Sequence, residues 1–112
     1  MTGTLAVPLL AAGVTAVIAY NDVVALGLLS RFNSRDIAVP ERLSVIGIDG
    51  IAMSEMVHPS LTTIDLDTEL SGRAGVDLLL HLLANPEQAK STRRELETHL
   101  IVRGSTGGVD QI

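Results

Sequence analysis

The chain has 112 residues, of which 46% are hydrophobic and only 2% aromatic, so one modest domain must build its core from aliphatic side chains. Thirteen acidic residues against eight lysines and arginines give a net charge of -5, which excludes a phosphate-binding surface of the usual basic kind. The absence of cysteine excludes disulfides, thiolate catalysis and cysteine-based zinc sites.

The amino-terminal stretch carries no charged side chain, since no Lys, Arg, Asp or Glu occurs before Asp22. A signal peptide needs a positive first region, and the first Lys or Arg is Arg31. Thr, Gly and Pro residues interrupt the stretch, which disfavours a membrane-spanning helix. We therefore expect neither export nor membrane contact. The pattern predicts the end of a helix over Leu5–Ala12, stopped by Gly13.

Two short apolar runs flank a helical pattern in the first half of the chain. Thr15–Tyr20 and Leu43–Asp49 are typical of buried parallel strands covered on both faces. Between them, Asp22–Asn33 has helical periodicity, and Asp22 is the predicted N-cap. The unit is therefore a strand–helix–strand crossover with its two strands adjacent and parallel.

The second half of the chain also alternates between predicted strands and a predicted helix. Gly50–Pro59 is predicted to be irregular and Leu61–Leu66 to be a third extended segment. A long helix, capped by Asp67 or Thr68, should run from Thr68 to Ala84 and end at Asn85-Pro86. A last strand is expected near Glu95–Arg103. The predicted fold class is α/β, with a mostly parallel sheet and flanking helices.

Asn21 and Asp49 are the candidate ligand-binding residues. Each follows a predicted buried parallel strand, and ligands of open α/β sheets bind beyond the carboxyl ends of the strands. An amide that donates and accepts, beside a carboxylate with two acceptor oxygens, can bracket a hydroxyl-rich or heterocyclic ligand. The alternative is that both residues only form turns and caps, a common role of Asn and Asp.

The sequence contains no pattern typical of a catalytic or metal-binding site. The three histidines lack metal-ligand spacing, and the acidic run from Asp65 to Glu69 has Leu70 where a calcium loop needs glycine. No nucleophile motif, phosphate-binding loop or dinucleotide fingerprint occurs. We expect no metal, no cofactor and no enzymatic activity.

Four sequence segments, taken together in their order and spacing, resemble one protein family. TAVIAYNDVVALGLL is similar to the strand–Asn-Asp–helix segment of lactose-repressor-type (LacI/GalR) regulators, and VPERLSVIGIDG to their following loop and strand. HPSLTTI is similar to their Pro-x-Leu-Thr-Thr segment, and the order, spacing and final LIVRGST also agree. The resemblance covers roughly residues 14–106.

This resemblance implies part of a periplasmic-binding-protein-like core of type I, whose two lobes enclose a small effector such as a sugar. It implies a single truncated domain over residues 1–112, with a C-terminal-lobe unit at 14–66 and a crossover helix and last strand at 67–106. The helix-turn-helix, the hinge and most of both lobes would be missing, leaving the apolar side of helix Thr68–Ala84 unpartnered. Asn21 and Asp49 would face the effector. Ile48, Gly50 and Leu66 depart from the family pattern, so the effector chemistry can differ from that of a simple sugar.

The resemblance also implies a homodimer or larger homo-oligomer. Two methionines in a predicted loop agree with this, since methionine adapts well to partner surfaces. The alternative is that the loop folds onto its own domain. The expected interface residues are Leu26, Ser30, Met53, Glu55, Met56 and Val57.

The sequence thus favours the effector-sensing part of a cytoplasmic transcription regulator that does not itself contact nucleic acid. A solute-binding protein of a sugar transporter is the second hypothesis, and an enzyme or plain interaction module is the third. A helix-turn-helix in the parent reading frame would identify the regulator, and a signal peptide would identify the transporter component.

Overall fold

The computed structural model describes residues 12–109, and the predicted helix over Leu5–Ala12 lies almost wholly outside them. Four strands form one sheet in the order β1-β2-β3-β4. β1 (Ala16–Ile18) pairs in parallel with β2 (Ser44–Asp49), and β2 pairs in parallel with β3 (Thr62–Asp65). β4 (His99–Ile101) runs antiparallel to β3. The predicted α/β class with a mostly parallel sheet is confirmed, as is the parallel pairing of the first two strands.

Helix α1 (Asp22–Ser34) connects β1 to β2 and covers one face of the sheet. Its apolar side meets the side chains of β2 and of the residues that flank β2 and β3. Burying these aliphatic groups and one phenyl ring removes them from water and supplies the main stabilisation of this half. The buried apolar core consists of Ala19, Ala25, Leu28, Leu29, Phe32, Leu43, Val45 and Leu61.

The prediction that β1 is covered on both faces is wrong within the described residues. Ile18 is 69% exposed, and Ala16 is exposed as well. β1 is an edge strand, and α1 packs on one side of the sheet only. Side chains alternate along a strand, so those that point away from α1 stay in water.

Two further segments differ from expectation. The stretch Gly50–Pro59 contains a one-turn helix, α2 (Met53–Met56). The last strand is shorter than predicted, because its partner β3 ends at Asp65 and offers a register only to His99–Ile101. Residues that follow β4 are still anchored, since the buried Ser105 Oγ donates to the Val45 carbonyl oxygen over 2.5 Å.

Helix α3 (Thr68–Ala84) has the bounds that were predicted, with Asp67 as its N-cap and a short 3-10 helix, η1 (Pro86–Gln88), after Asn85. None of its residues is buried. The described chain is elongated, 60 × 27 × 26 Å, because α3 stands away from the sheet. We call its most exposed apolar residues the α3 stripe; they are 57–68% exposed and comprise Val76, Leu79, Leu80 and Leu83.

Candidate ligand-binding edge

Asn21 and Asp49 lie at the same edge of the sheet. Ile18 of β1 is level with Ile46 of β2, and each candidate residue stands three positions further along its own chain. Asp65, at the end of β3, is level with Asp49. The carboxyl ends of the three parallel strands therefore bring one amide and two carboxylates to one edge, which is where open α/β sheets bind ligands.

Asn21 has a structural task at this edge. It is the N-cap of α1, and its Oδ1 accepts a hydrogen bond from the Val24 backbone N–H over 2.9 Å. The prediction that Asp22 caps this helix is therefore wrong by one residue, because the cap is Asn21. Because the cap occupies Oδ1, Asn21 would meet a ligand mainly through its Nδ2 donor group. Its role toward a ligand stays a prediction.

Asp49 has an unusual backbone. Its φ of +128° lies where residues with a side chain are rare, so the surrounding structure must hold it there. The residue is half-buried, and its carboxylate forms no hydrogen bond with any residue between 12 and 109. A half-buried acceptor without a protein partner can receive hydrogen bonds from a bound molecule. This geometry leaves Asp49 the stronger of the two candidates.

Asp22, which was predicted to cap α1, instead points into the interior. Its side chain is fully buried and receives four hydrogen bonds. Oδ1 accepts from Thr63 Oγ1 over 2.5 Å, while Oδ2 accepts from Ser54 Oγ over 2.6 Å and from the amides of Gly50 and Ile51 over 3.1 and 3.0 Å. Carboxylates are buried only when donors satisfy them. Asp22 thus ties α1 to β3, to the turn after β2 and to α2.

Gly47 provides the space for this carboxylate. A Cβ atom built on Gly47 would overlap Asp22 Oδ1 and touch the Leu61 side chain. A glycine in the middle of the β2 run was a signal for this close approach, since glycine in a strand often marks such a point.

Replacing Gly47 with alanine should lower the free energy of unfolding by about 1–3 kcal/mol, because the added methyl group overpacks the Asp22 pocket. Urea denaturation followed by circular dichroism measures the change. Gly72→Ala is the matched control, since nothing lies within 4 Å of its new methyl group on α3. We expect that control to be neutral or stabilising, because alanine favours a helix more than glycine does. A loss at position 72 as large as that at 47 would contradict the steric explanation.

Four of the predicted interface residues line a common surface groove. Leu26 and Ser30 come from α1, whereas Met53 and Val57 come from α2 and its end. The groove has a volume of about 280 Å³. Glu55 and Met56 do not line it; both are exposed, Met56 by 78%. Leu26 and Val57 also pack against the core, so the loop partly folds onto its own domain, as the alternative interpretation held.

Metal-ligating side chains do not converge in the described part of the chain. Between residues 12 and 109, no three residues among the histidines, aspartates and glutamates are placed to share an ion. No helix in the same range is long and apolar enough to cross a bilayer.

A family model for the periplasmic-binding-protein-like domain matches residues 4–106. The chain belongs to this periplasmic-binding-protein-like family. The repressor PurR of Vibrio campbellii is 36% identical over 91 residues, which are 81% of this chain and 27% of the repressor. The chain therefore spans about a quarter of the length of this relative. The resemblance to lactose-repressor-type regulators is confirmed.

Solved structures of the same family superpose on the chain. A LacI-family regulator from Arthrobacter in complex with lactose gives a TM-score of 0.83 at 34% identity, over 95% of this chain and 41% of that one. A ribose-bound LacI-family regulator from Enterococcus faecium gives 0.84 at 29%, over 97% and 40%. A lac repressor dimer bound to operator and an anti-inducer gives 0.80 at 32%, over 94% and 37%. These values confirm a periplasmic-binding-protein-like arrangement of the sheet and helices.

Proposed function

We propose that this chain is the effector-sensing part of a LacI-type transcription regulator. The observation that carries the proposal is that Asn21 follows the end of β1 and Asp49 ends β2, both at the carboxyl edge of a sheet that superposes on a lactose-bound regulator. The relatives are transcriptional repressors, which favours a regulator over a transporter component or an enzyme. A regulator works beside DNA, so the cytoplasm is the proposed location. DNA contact is assigned to another part of the parent protein, since this chain carries net negative charge.

The proposed effector is a small polar molecule rich in hydroxyl groups, such as a sugar. Asp49 offers two acceptor oxygens that have no hydrogen-bond partner among residues 12–109, and Asn21 offers a donor group; hydroxyl groups can both donate and accept. Lactose and ribose occupy the neighbouring structures, which supports this class. Ile48, Gly50 and Leu66 depart from the family pattern, so the effector chemistry can differ from that of a simple sugar.

Replacing Asp49 with alanine should weaken effector binding by about 1–3 kcal/mol, the usual loss when a buried hydrogen-bond partner is removed. Isothermal titration calorimetry with lactose and with ribose measures the effect. It should use the complete gene product, because the proposed ligand lies between two lobes. Asp77→Ala, an exposed substitution on α3, is the control and should leave the affinity unchanged.

The two possible failures of this experiment carry different meanings. Unchanged affinity in the Asp49→Ala protein would remove Asp49 from the site. A wild-type protein that binds neither lactose nor ribose would exclude these two sugars as its effectors.

We further propose that the chain forms a homodimer or larger homo-oligomer through the groove between α1 and α2. The lac repressor structure that superposes on this chain is a dimer, which supports the proposal. Met53 and Met56 are 57% and 78% exposed, an unusual position for apolar side chains unless a partner covers them. The exposed α3 stripe gives a second, independent reason to associate.

A further inference from the structure

The two proposed surfaces meet at one buried carboxylate. Asn21 directly precedes Asp22, and Asp49 directly precedes Gly50, whose amide donates to Asp22 Oδ2. On the other side, Met53 and Glu55 flank Ser54, whose hydroxyl donates to the same oxygen. Both residues proposed for the ligand, and two of the six proposed for the interface, are therefore one peptide bond away from a member of the Asp22 cluster (Asp22, Gly50, Ile51, Ser54 and Thr63).

The bonds within this cluster leave little independent freedom. Ser54 is held twice more through its backbone, because its N–H donates to the Ile51 carbonyl and its carbonyl accepts from the Leu61 N–H over 2.8 Å. Thr63 Oγ1 donates to Asp22 Oδ1 and also lies 3.3 Å from the Gly50 nitrogen. In a buried, low-dielectric setting, an ionised acceptor loses much free energy if any of its donors withdraws. The turn after β2 and helix α2 therefore share one acceptor, Asp22 Oδ2, and a movement of either one strains the hydrogen bonds of the other.

We propose that Asp22 is a positioning residue that couples the ligand-binding edge to the α2 surface through Ser54. This inference rests on the proposed function, because it assigns the regulatory link between the two sites proposed there. A ligand that shifts Asp49 and Gly50 shifts an amide bound to Asp22 Oδ2, and α2 follows through the Ser54 hydroxyl on the same atom. Coupling requires such a shared element, whose position both sites influence.

The test destabilises helix α2 by a substitution and measures amide hydrogen exchange in the turn after β2, with no ligand present. Met56→Gly removes an exposed side chain and disfavours the helix turn by about 1 kcal/mol, which is about fivefold in an opening equilibrium. Hydrogen exchange by NMR on the 112-residue chain then measures the Gly50 and Ile51 amides. In the wild-type background we expect both to exchange about fivefold faster in the Met56→Gly variant. In a Ser54→Ala background the same change should have no further effect, because the link is already cut.

Ser60→Ala is the matched control background. Ser60 precedes β3 and accepts from the Gly104 amide, but it does not touch Asp22. The fivefold response should persist there. A response of equal size in the Ser54→Ala background, or none in the wild type, would overturn the proposal.

A second measurement covers the case in which Ser54→Ala does not fold. In the wild-type chain at low urea, the Gly50 and Ile51 amides and the Leu61 amide bound to Ser54 should open as one unit, with similar exchange rates. Exchange rates that differ more than about tenfold between the Gly50 and Ile51 amides and the Leu61 amide would also contradict the proposed coupling. Neither exchange measurement depends on effector binding. A failure of the sugar titration would therefore not change the conclusion about coupling.

Discussion

Replacing Asp22 with alanine is expected to lower the free energy of unfolding by about 3–5 kcal/mol, because several donors lose their acceptor and each donor left unsatisfied in the interior costs about 1–3 kcal/mol. Two hydroxyl groups, on Ser54 and Thr63, and the amides of Gly50 and Ile51 would lose their common acceptor. Stabilities of small domains are about 5–15 kcal/mol, so this single change removes a large share. Urea denaturation, monitored by circular dichroism, measures the loss.

Asp22→Asn tests how much of the effect belongs to the charge. An asparagine keeps one acceptor oxygen of nearly the same shape but places an NH₂ group against a donor. We expect a loss of about 1.5–3 kcal/mol, in the range of hydrogen bonds to charged groups. Asp77→Ala, on the exposed side of α3, should change the stability by less than about 0.5 kcal/mol. A stable Asp22→Ala variant would mean that the cluster does not join the elements as described.

Self-association of the chain is the second large effect that we expect. Multi-angle light scattering at tens of micromolar should give a mass of at least twice the 11.8 kDa of one chain. The physical reason is exposed apolar area: Met53 and Met56 beside the groove, and the α3 stripe on a helix with no buried residue. Contiguous apolar patches of this kind rarely stay in contact with water.

Paired charge substitutions identify the surface that is used. Met56→Lys with Val57→Lys should shift the chain toward monomer if it associates through the groove. Leu79→Lys with Leu83→Lys should do so if the α3 stripe is responsible, which would make the association a consequence of an uncovered helix. Val23→Lys replaces an apolar residue that is 65% exposed and lies outside both surfaces, and it should have no effect. A monomeric wild-type chain at this concentration would contradict the proposal.

Much of the fold could be predicted because it depends on local chemistry. The bounds of α3 follow from a capping aspartate, Asp67, at one end and Asn85-Pro86 at the other, which act within a few residues of the helix. The parallel pairing of β1 with β2 follows from two apolar runs joined by an amphipathic helix. The position of Asn21 and Asp49 at one edge is a consequence of that pairing, so it too could be inferred before any coordinates.

The choice between Asn21 and Asp22 as helix cap could not be made in this way. Both residue types cap helices well, and nothing within the local sequence ranks them. The choice depends on Gly47, which leaves space in β2, and on Ser54 and Thr63, which supply donors from elements that lie 32 and 41 positions away. An unaided carboxylate could not be buried there, so only the assembled set of donors makes Asp22 an interior residue.

The sequence by itself determined the alternation of strands and helices, the apolar composition of the core and the resemblance to one family, because each depends on residue types and spacing along the chain. Tertiary structure decided which faces are covered. Ile18 and the α3 stripe are as apolar as the core residues, yet they are exposed, because burial depends on whether another element lies opposite. Hydrophobic patterning indicates that one face of a helix or strand is stabilised by burial. Which element covers that face depends on the assembled tertiary structure.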